Sequence, residues 1–159
     1  MGLVPSAIYR HFKNKDEVID STLDYIQVAL IDIVTASSKD TADTVECLRR
    51  VLMRHIRLIR ENVEIPRIVF SEDVYSGSPE RKAKLYLIIQ GYLVRISEIV
   101  RCGQGGGQIR SDIRPGTIAL MYLGLIQPAA ILWHISDGGF DVTKHAEKAW
   151  NVFRKAIPA

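Results

Sequence analysis

The sequence predicts an all-α fold, and three observations predict it. Apolar residues recur at three- and four-residue spacing over several stretches long enough for helices, such as Val45, Leu48, Leu52, Ile56 and Ile59. Helix-start residues precede these stretches, and glycine clusters at 103–107 and 138–139 close two of them. A third feature is a stretch at 118–133 that is apolar nearly all round, which a helix tolerates only when covered on two sides. At 159 residues the chain can bury one good core, or carry a small head on a larger body. With 47% hydrophobic and 25% charged residues it falls in the globular range.

The opening stretch, residues 2–16, reads as a turn, one short helix and a second turn. Pro5 suits a first helical position, where its missing N–H would be unpaired anyway. Ile8 and Phe12, four apart, give that helix an apolar face. Small Ser6 and Ala7 lie at its N-terminal end, and Tyr9, Arg10 and Lys13 point elsewhere. A small tip with polar flanks suits a helix in the DNA major groove, the tip reaching base edges while the flanks hold phosphates. The net charge of +3 is too mild to argue for nucleic acid, but Arg10, Lys13 and Lys15 concentrate here beside His11.

Gly2 followed by Tyr9-Arg10-His11-Phe12-Lys13-Asn14-Lys15 resembles the end of the helix-turn-helix of the TetR family of transcriptional regulators. The resemblance implies a partial helix-turn-helix head at 1–15, followed by a helical ligand-binding and dimerisation domain at 16–159. The supporting helices of such a head would precede the turn, so the stretch reads as the C-terminal part of a DNA-binding domain. By the family pattern Pro5, Ser6 and Ala7 lie nearest base edges, and Tyr9, His11 and Lys15 contact phosphates. The sequence departs from the pattern at Val4, where a Ser or Thr cap is common, and at Ser6, often Gly. Without that cap the helix start is weaker by about 1 kcal/mol.

Asn14 or Lys15 starts the next helix, with Asp16 and Glu17 favouring its positive end. Its apolar positions run from Val18 and Ile19 to Ile33 and Val34, ending near Ser37-Ser38, with Asp20 and Asp24 expected in solvent. In the family arrangement this helix links head to body. Asp40 or Thr41 is expected to cap a second long helix, whose stripe from Val45 to Val63 contains one polar member, His55. That position suits either a hydrogen-bonded core histidine or a group facing a ligand pocket. Arg49, Arg50, Arg54, Arg57 and Arg60 line the other side, the usual pattern of a solvated face.

Pro66 interrupts the pattern, and residues 67–75 suit a short helix. Ser78-Pro79 starts a third long helix over about 80–101, with Leu85, Ile89, Tyr92, Ile96, Ile99 and Val100 inward. The glycine cluster at 103–107 follows a helix and lacks a Gly-Lys-Ser/Thr continuation, so it reads as a flexible loop and not a phosphate cradle. Residues 108–115 resemble the segment that TetR-family proteins place before their last two helices. Pro115 starts a fourth helix that Pro128 should kink. Asp141 caps the last, with Val142, Ala146, Ala149, Trp150, Phe153 and Ile157 on one stripe.

The resemblance implies that the final helices pair with a second copy, and Met121, Leu125, Ala129, Leu132, Trp133, Ala146, Trp150 and Phe153 are the expected dimer interface. His55, Tyr86, Gln90, Tyr92, Tyr122 and His134 are candidates to line the pocket of a small apolar or amphipathic effector. The expected partners are double-stranded operator DNA, that effector and a second subunit, with no membrane. The expected activity is that of a homodimeric repressor released by ligand; a ligand-binding dimer without DNA binding, or an all-α enzyme, stays open. No nucleophile elbow, metal-binding His-Glu-x-x-His or cofactor fingerprint occurs, so neither metal nor cofactor is expected. Cys47 and Cys102 form no disulfide or zinc pattern, no apolar run suggests a membrane span, and no signal peptide opens the chain; a cytoplasmic setting is expected.

Overall fold

The computed structural model describes residues 13–159, so the expectations for Pro5, Ser6, Ala7, Tyr9 and His11 lie outside the described residues. Among the described residues eight helices follow one another: α1 Lys15–Asp40, α2 Thr44–Glu61, α3 Glu64–Val69, α4 Glu72–Tyr75, α5 Pro79–Gly105, α6 Pro115–Leu123, α7 Gln127–Ile135 and α8 Val142–Ala156. Among the described residues the extended pairing is limited to one isolated bridge, Ile109 with Pro158. Helices α1, α2 and α5 pack on one another, α6 lies along α5, and α8 crosses back onto α2.

The ends follow local chemistry. Asn14 caps α1, its side chain accepting from the Glu17 N–H. The cap of α2 is Asp43, a few residues beyond the expected site, accepting from Val45 and Glu46. Gln108 reinforces that start from far along the chain, its Oε1 accepting from the Thr44 N–H (3.0 Å) and hydroxyl. Ser78 caps α5 with Pro79 in the first turn, and Asp141 caps α8. The 67–75 segment divides into α3, which holds buried Pro66, and α4, joined through the Ser71 N–H bond to Ile68 O.

Three expectations fail for clear reasons. The glycine cluster is not a flexible loop at its start: α5 continues through Gly103 to Gly105. A Cβ at Gly103 would sit 2.5 Å from Thr44 Oγ1 and 2.7 Å from Ile109 Cδ1, so the glycine permits close packing of α5 against the start of α2. Gln104 then donates to the carbonyls of Arg110 and Ile113, both at 2.8 Å, and the Arg110 N–H bonds to Ile157 O, so 104–113 is a built connection.

Pro128 does more than kink the fourth helix. The chain breaks at Gly124–Ile126, with Leu125 and Ile126 making tighter bonds to Tyr122 and Leu123, and Pro128 sits in the first turn of a new helix. Its ring would crowd the carbonyl of residue 124, four back, and it has no N–H to offer that carbonyl. The uninterrupted stretch Pro115–Ile135 has the length and apolarity of a membrane span, contrary to the expectation that no run reaches that length. In the fold it is two short helices, and Ile118, Ala119, Tyr122, Leu123, Ile126, Ala129 and Ala130 are buried in the protein core.

Candidate functional site

A cavity of about 90 Å³ lies within the bundle, between α1, α2, α3, α5 and the α6–α7 break. Its wall is mostly aliphatic: Ile26 and Leu30 from α1, Ile59 from α2, Ile65 and Pro66 from α3, Leu85, Ile88 and Ile89 from α5, and Leu123 and Ile126 at the break. Among the described residues no Lys, Arg, Asp or Glu lines it. Its more exposed members, Tyr75 and Gln127, mark where it meets solvent.

Two polar side chains reach this wall from facing helices. His55 comes from α2 and Tyr92 from α5; their rings meet edge to face with centroids 5.3 Å apart, and His55 Nδ1 is 3.1 Å from the Tyr92 hydroxyl. Burial pushes the His55 pKa down to about 4, so the imidazole is neutral near pH 7, and it raises that of Tyr92. Tyr122, fully buried beside Tyr92, donates its hydroxyl proton to Leu48 O at 2.7 Å.

Of the six residues expected at the pocket, His55 and Tyr92 meet on its wall. Tyr122 supports that pair from behind, in the core and off the wall. Tyr86 and Gln90 are exposed and face away: each is one residue from an inward position, Leu85 or Ile89, and one residue turns a helix by about 100°. His134 lies in a separate, shallow surface depression with Trp133, Val63 and Glu64. The aliphatic wall from α1 and α3 was not singled out in the sequence, because the helical period marks these residues as core without distinguishing a cavity wall from packed interior.

The expected dimer residues divide in the same way. Met121 and Leu132 are exposed, and Leu125 and Trp133 are half-buried. Ala129, Ala146, Trp150 and Phe153 are buried within the protomer and are withdrawn from the interface. Helix α8 has a single apolar stripe and spends it on its own core, where Phe153 meets Tyr122 at 5.9 Å between ring centroids. Leu120, Ile131, Ile135 and Val152 are further apolar residues left exposed on α6–α8.

The N-terminal half of α1 is held electrostatically. Arg81, at the start of α5, bonds Asp20 through Nε and Asp16 through Nη1, each at 2.9 Å, and Lys84 reaches Asp24 at 2.7 Å. Asp20 and Asp24 are therefore paired, not free in solvent, and the Arg81 hydrogen bond holds the Asp20 carboxyl below its usual range. Lys15 is paired with Asp73 of α4 at 2.6 Å. On α2, Arg54 binds Asp40 and buried Ser37, Arg50 binds Glu46, and Arg60 binds Thr143, so the arginine face is partly a set of latches to α1 and α8.

Comparison with known proteins places this architecture. Residues 26–156 match the family model for the YsiA-like protein, C-terminal region, of TetR type. The fatty acid metabolism regulator protein of Bacillus subtilis is 24% identical over 141 residues, covering 89% of this chain and 72% of that one. The structure of the Bacillus subtilis regulator FadR in complex with stearoyl-CoA superposes with a TM-score of 0.73 at 20% identity, covering 96% of this chain and 81% of that one. The ketosteroid transcriptional regulator KstR2 of Mycobacterium tuberculosis superposes with a TM-score of 0.78 at 16% identity, covering 97% and 78%.

Proposed function

Because the chain belongs to the TetR family of transcriptional regulators, with a YsiA-like C-terminal region, we propose that it is a homodimeric DNA-binding repressor released by an apolar effector in the α1–α5 cavity. The observation that carries this reading is the position of α1. Its middle, at Ile26 and Leu30, forms one wall of the cavity, while its N-terminal end leads into the basic, aromatic opening stretch.

At about 90 Å³ the cavity is smaller than the roughly 300–1,000 Å³ of ordinary ligand pockets. A bound chain must part α1 from α5 to fit, and an effector that binds the parted state better shifts the population toward it. Movement of α1 changes the separation of the two recognition helices in a dimer, and with it the match to two half-sites. The regulator bound to stearoyl-CoA supports an effector with a long apolar part. The exposed apolar side chains Met121, Leu132 and Ile135 supply a surface for the second copy. Pro5, Ser6, Ala7, Tyr9, His11 and Lys15 remain the proposed DNA contacts, and no catalytic role is assigned to any residue.

The reading is tested by anisotropy titration of the promoter DNA adjoining the gene with the complete gene product, including any codons upstream of Met1. Sequence-preferring, salt-sensitive binding is expected. Binding that is absent, or indifferent to sequence, contradicts it.

A further inference from the structure

The chain's two cysteines, far apart in sequence, line one groove. This groove, of about 560 Å³, is separate from the aliphatic cavity and lies between the C-terminal end of α1, the start of α2 and the last turns of α5. Cys47 reaches it from α2 and is 3% exposed, whereas Cys102 reaches it from α5 and is open to water. Two contacts set the register of these helices. A Cβ at Gly103 would sit 2.5 Å from Thr44 Oγ1, and Tyr92 meets His55 at 3.1 Å. The same number of residues separates the two contacts on either helix, so α2 and α5 run antiparallel and in step. Cys47 is then level with Val100, and Cys102 stands two residues on, about 3 Å along the axes. A disulfide needs Cα atoms about 4–7 Å apart, a spacing that two helices reach only where a small residue lets them touch, as Gly103 does beside Cys102.

From this placement we infer that Cys102 and Cys47 close a reversible disulfide when a hydroperoxide enters the groove, and that the bridge straps α5 to α2 and holds the cavity narrow. Exposure divides the work. Cys102 Sγ, as thiolate, attacks the peroxide: its S–O bond forms, the O–O bond breaks, and the alcohol or water leaves with the peroxide reduced. Burial pushes the Cys47 thiol up, so it keeps its proton near neutral pH, held by a weak contact with Ser38 Oγ at 3.6 Å. Its sulfur then attacks the Cys102 sulfenic acid, the S–S bond forms, the S–O bond breaks, and the hydroxyl takes the Cys47 proton and departs as water. A dithiol restores both thiols by exchange, as a transient bridge in a reducing compartment requires. The effect on the cavity rests on the effector site proposed above. Helices α2 and α5 carry His55 and Tyr92 on its wall, so tying them together opposes the widening that a bound chain demands.

The full chain, reduced and then treated with hydrogen peroxide at pH 7.5, tests this by tryptic mapping without reductant. Segments 40–49 and 102–110 are expected as one disulfide-linked species. The thermal midpoint should rise by about 5–10 °C, and methyl decanoate, as a probe of the cavity, should bind at least about fivefold more weakly than to the reduced protein. A dithiol reverses all three changes, and Cys102→Ser, at an exposed position, shows none of them. Cys102 bridged between two copies, or oxidised further while Cys47 stays a free thiol, overturns the strap. Linked segments with unchanged probe affinity overturn its hold on the cavity. A reduced protein that fails to bind methyl decanoate overturns the effector reading instead, and the linked segments still decide the strap.

Discussion

Helix α1 meets the body in two ways along its length, and the difference is instructive. From Lys15 to Asp24 it is held by charge: Asp16, Asp20 and Asp24 face Arg81 and Lys84, and Lys15 faces Asp73. From Ile26 to Leu30 it instead faces an aliphatic void. Ion pairs with one exposed partner contribute modestly and can re-form after a small displacement, whereas close-packed aliphatic walls respond to volume. A ligand therefore pushes on the half that senses size, and the charged half transmits or resists the motion. Near the end of the charged half Leu23 is fully buried and anchors the helix.

The largest effect that would break this division is at the anchor. Leu23→Ala is expected to cost about 3–5 kcal/mol in urea unfolding, whereas Leu30→Ala, which only widens an existing void, costs about 2–3 kcal/mol and strengthens decane binding. Equal costs with no gain in binding would mean that α1 is packed alike at both positions.

The pH dependence separates the two halves next. The His55 pKa is lowered from about 6.5 to about 4, so its neutral burial contributes fully above pH 6.5 and is lost as pH falls toward 4. That loss is about 3 kcal/mol by linkage, and His55→Leu should flatten this limb. Asp20 is depressed by Arg81, so its contribution is present above the ordinary carboxylate range and is lost below it. A limb above pH 4 that survives in His55→Leu would remove the histidine from this account.

Smaller still is the charged seam itself. Arg81→Ala, whose side chain is 14% exposed and bonds two carboxylates, should cost about 1–2 kcal/mol. Lys15→Ala should change stability by less than about 0.5 kcal/mol, because the Lys15–Asp73 pair is open to water. Its effect belongs to DNA: affinity falls for all sequences and the log–log salt slope drops by about one. An unchanged slope takes Lys15 off the phosphate-contact list.

Most of the helices were legible from periodicity and caps, and the residues that were not show where such reading ends. Asp20 and Asp24 read as solvated because Arg81 lies 61 residues beyond Asp20, and a helical period gives faces, not partners. Gly103 read as loop because glycine is a poor helix former; only the approach of Thr44 and Ile109 explains why it stands inside α5. His55 and Tyr92 were each visible as polar members of apolar stripes, yet nothing in the two stripes paired them. Ala146, Trp150 and Phe153 read as an interface because an apolar stripe looks the same whether its own core or a second copy covers it.

In the proposed mechanism, filling the cavity moves α1 and thereby weakens the hold on DNA. Its most direct test is promoter anisotropy with the complete gene product, with and without methyl decanoate at a concentration shown separately to saturate the cavity. DNA affinity is expected to be at least about tenfold weaker with the cavity filled, with, by linkage, an equal weakening of probe binding when DNA is saturating. Identical DNA affinity with the probe demonstrably bound would contradict it.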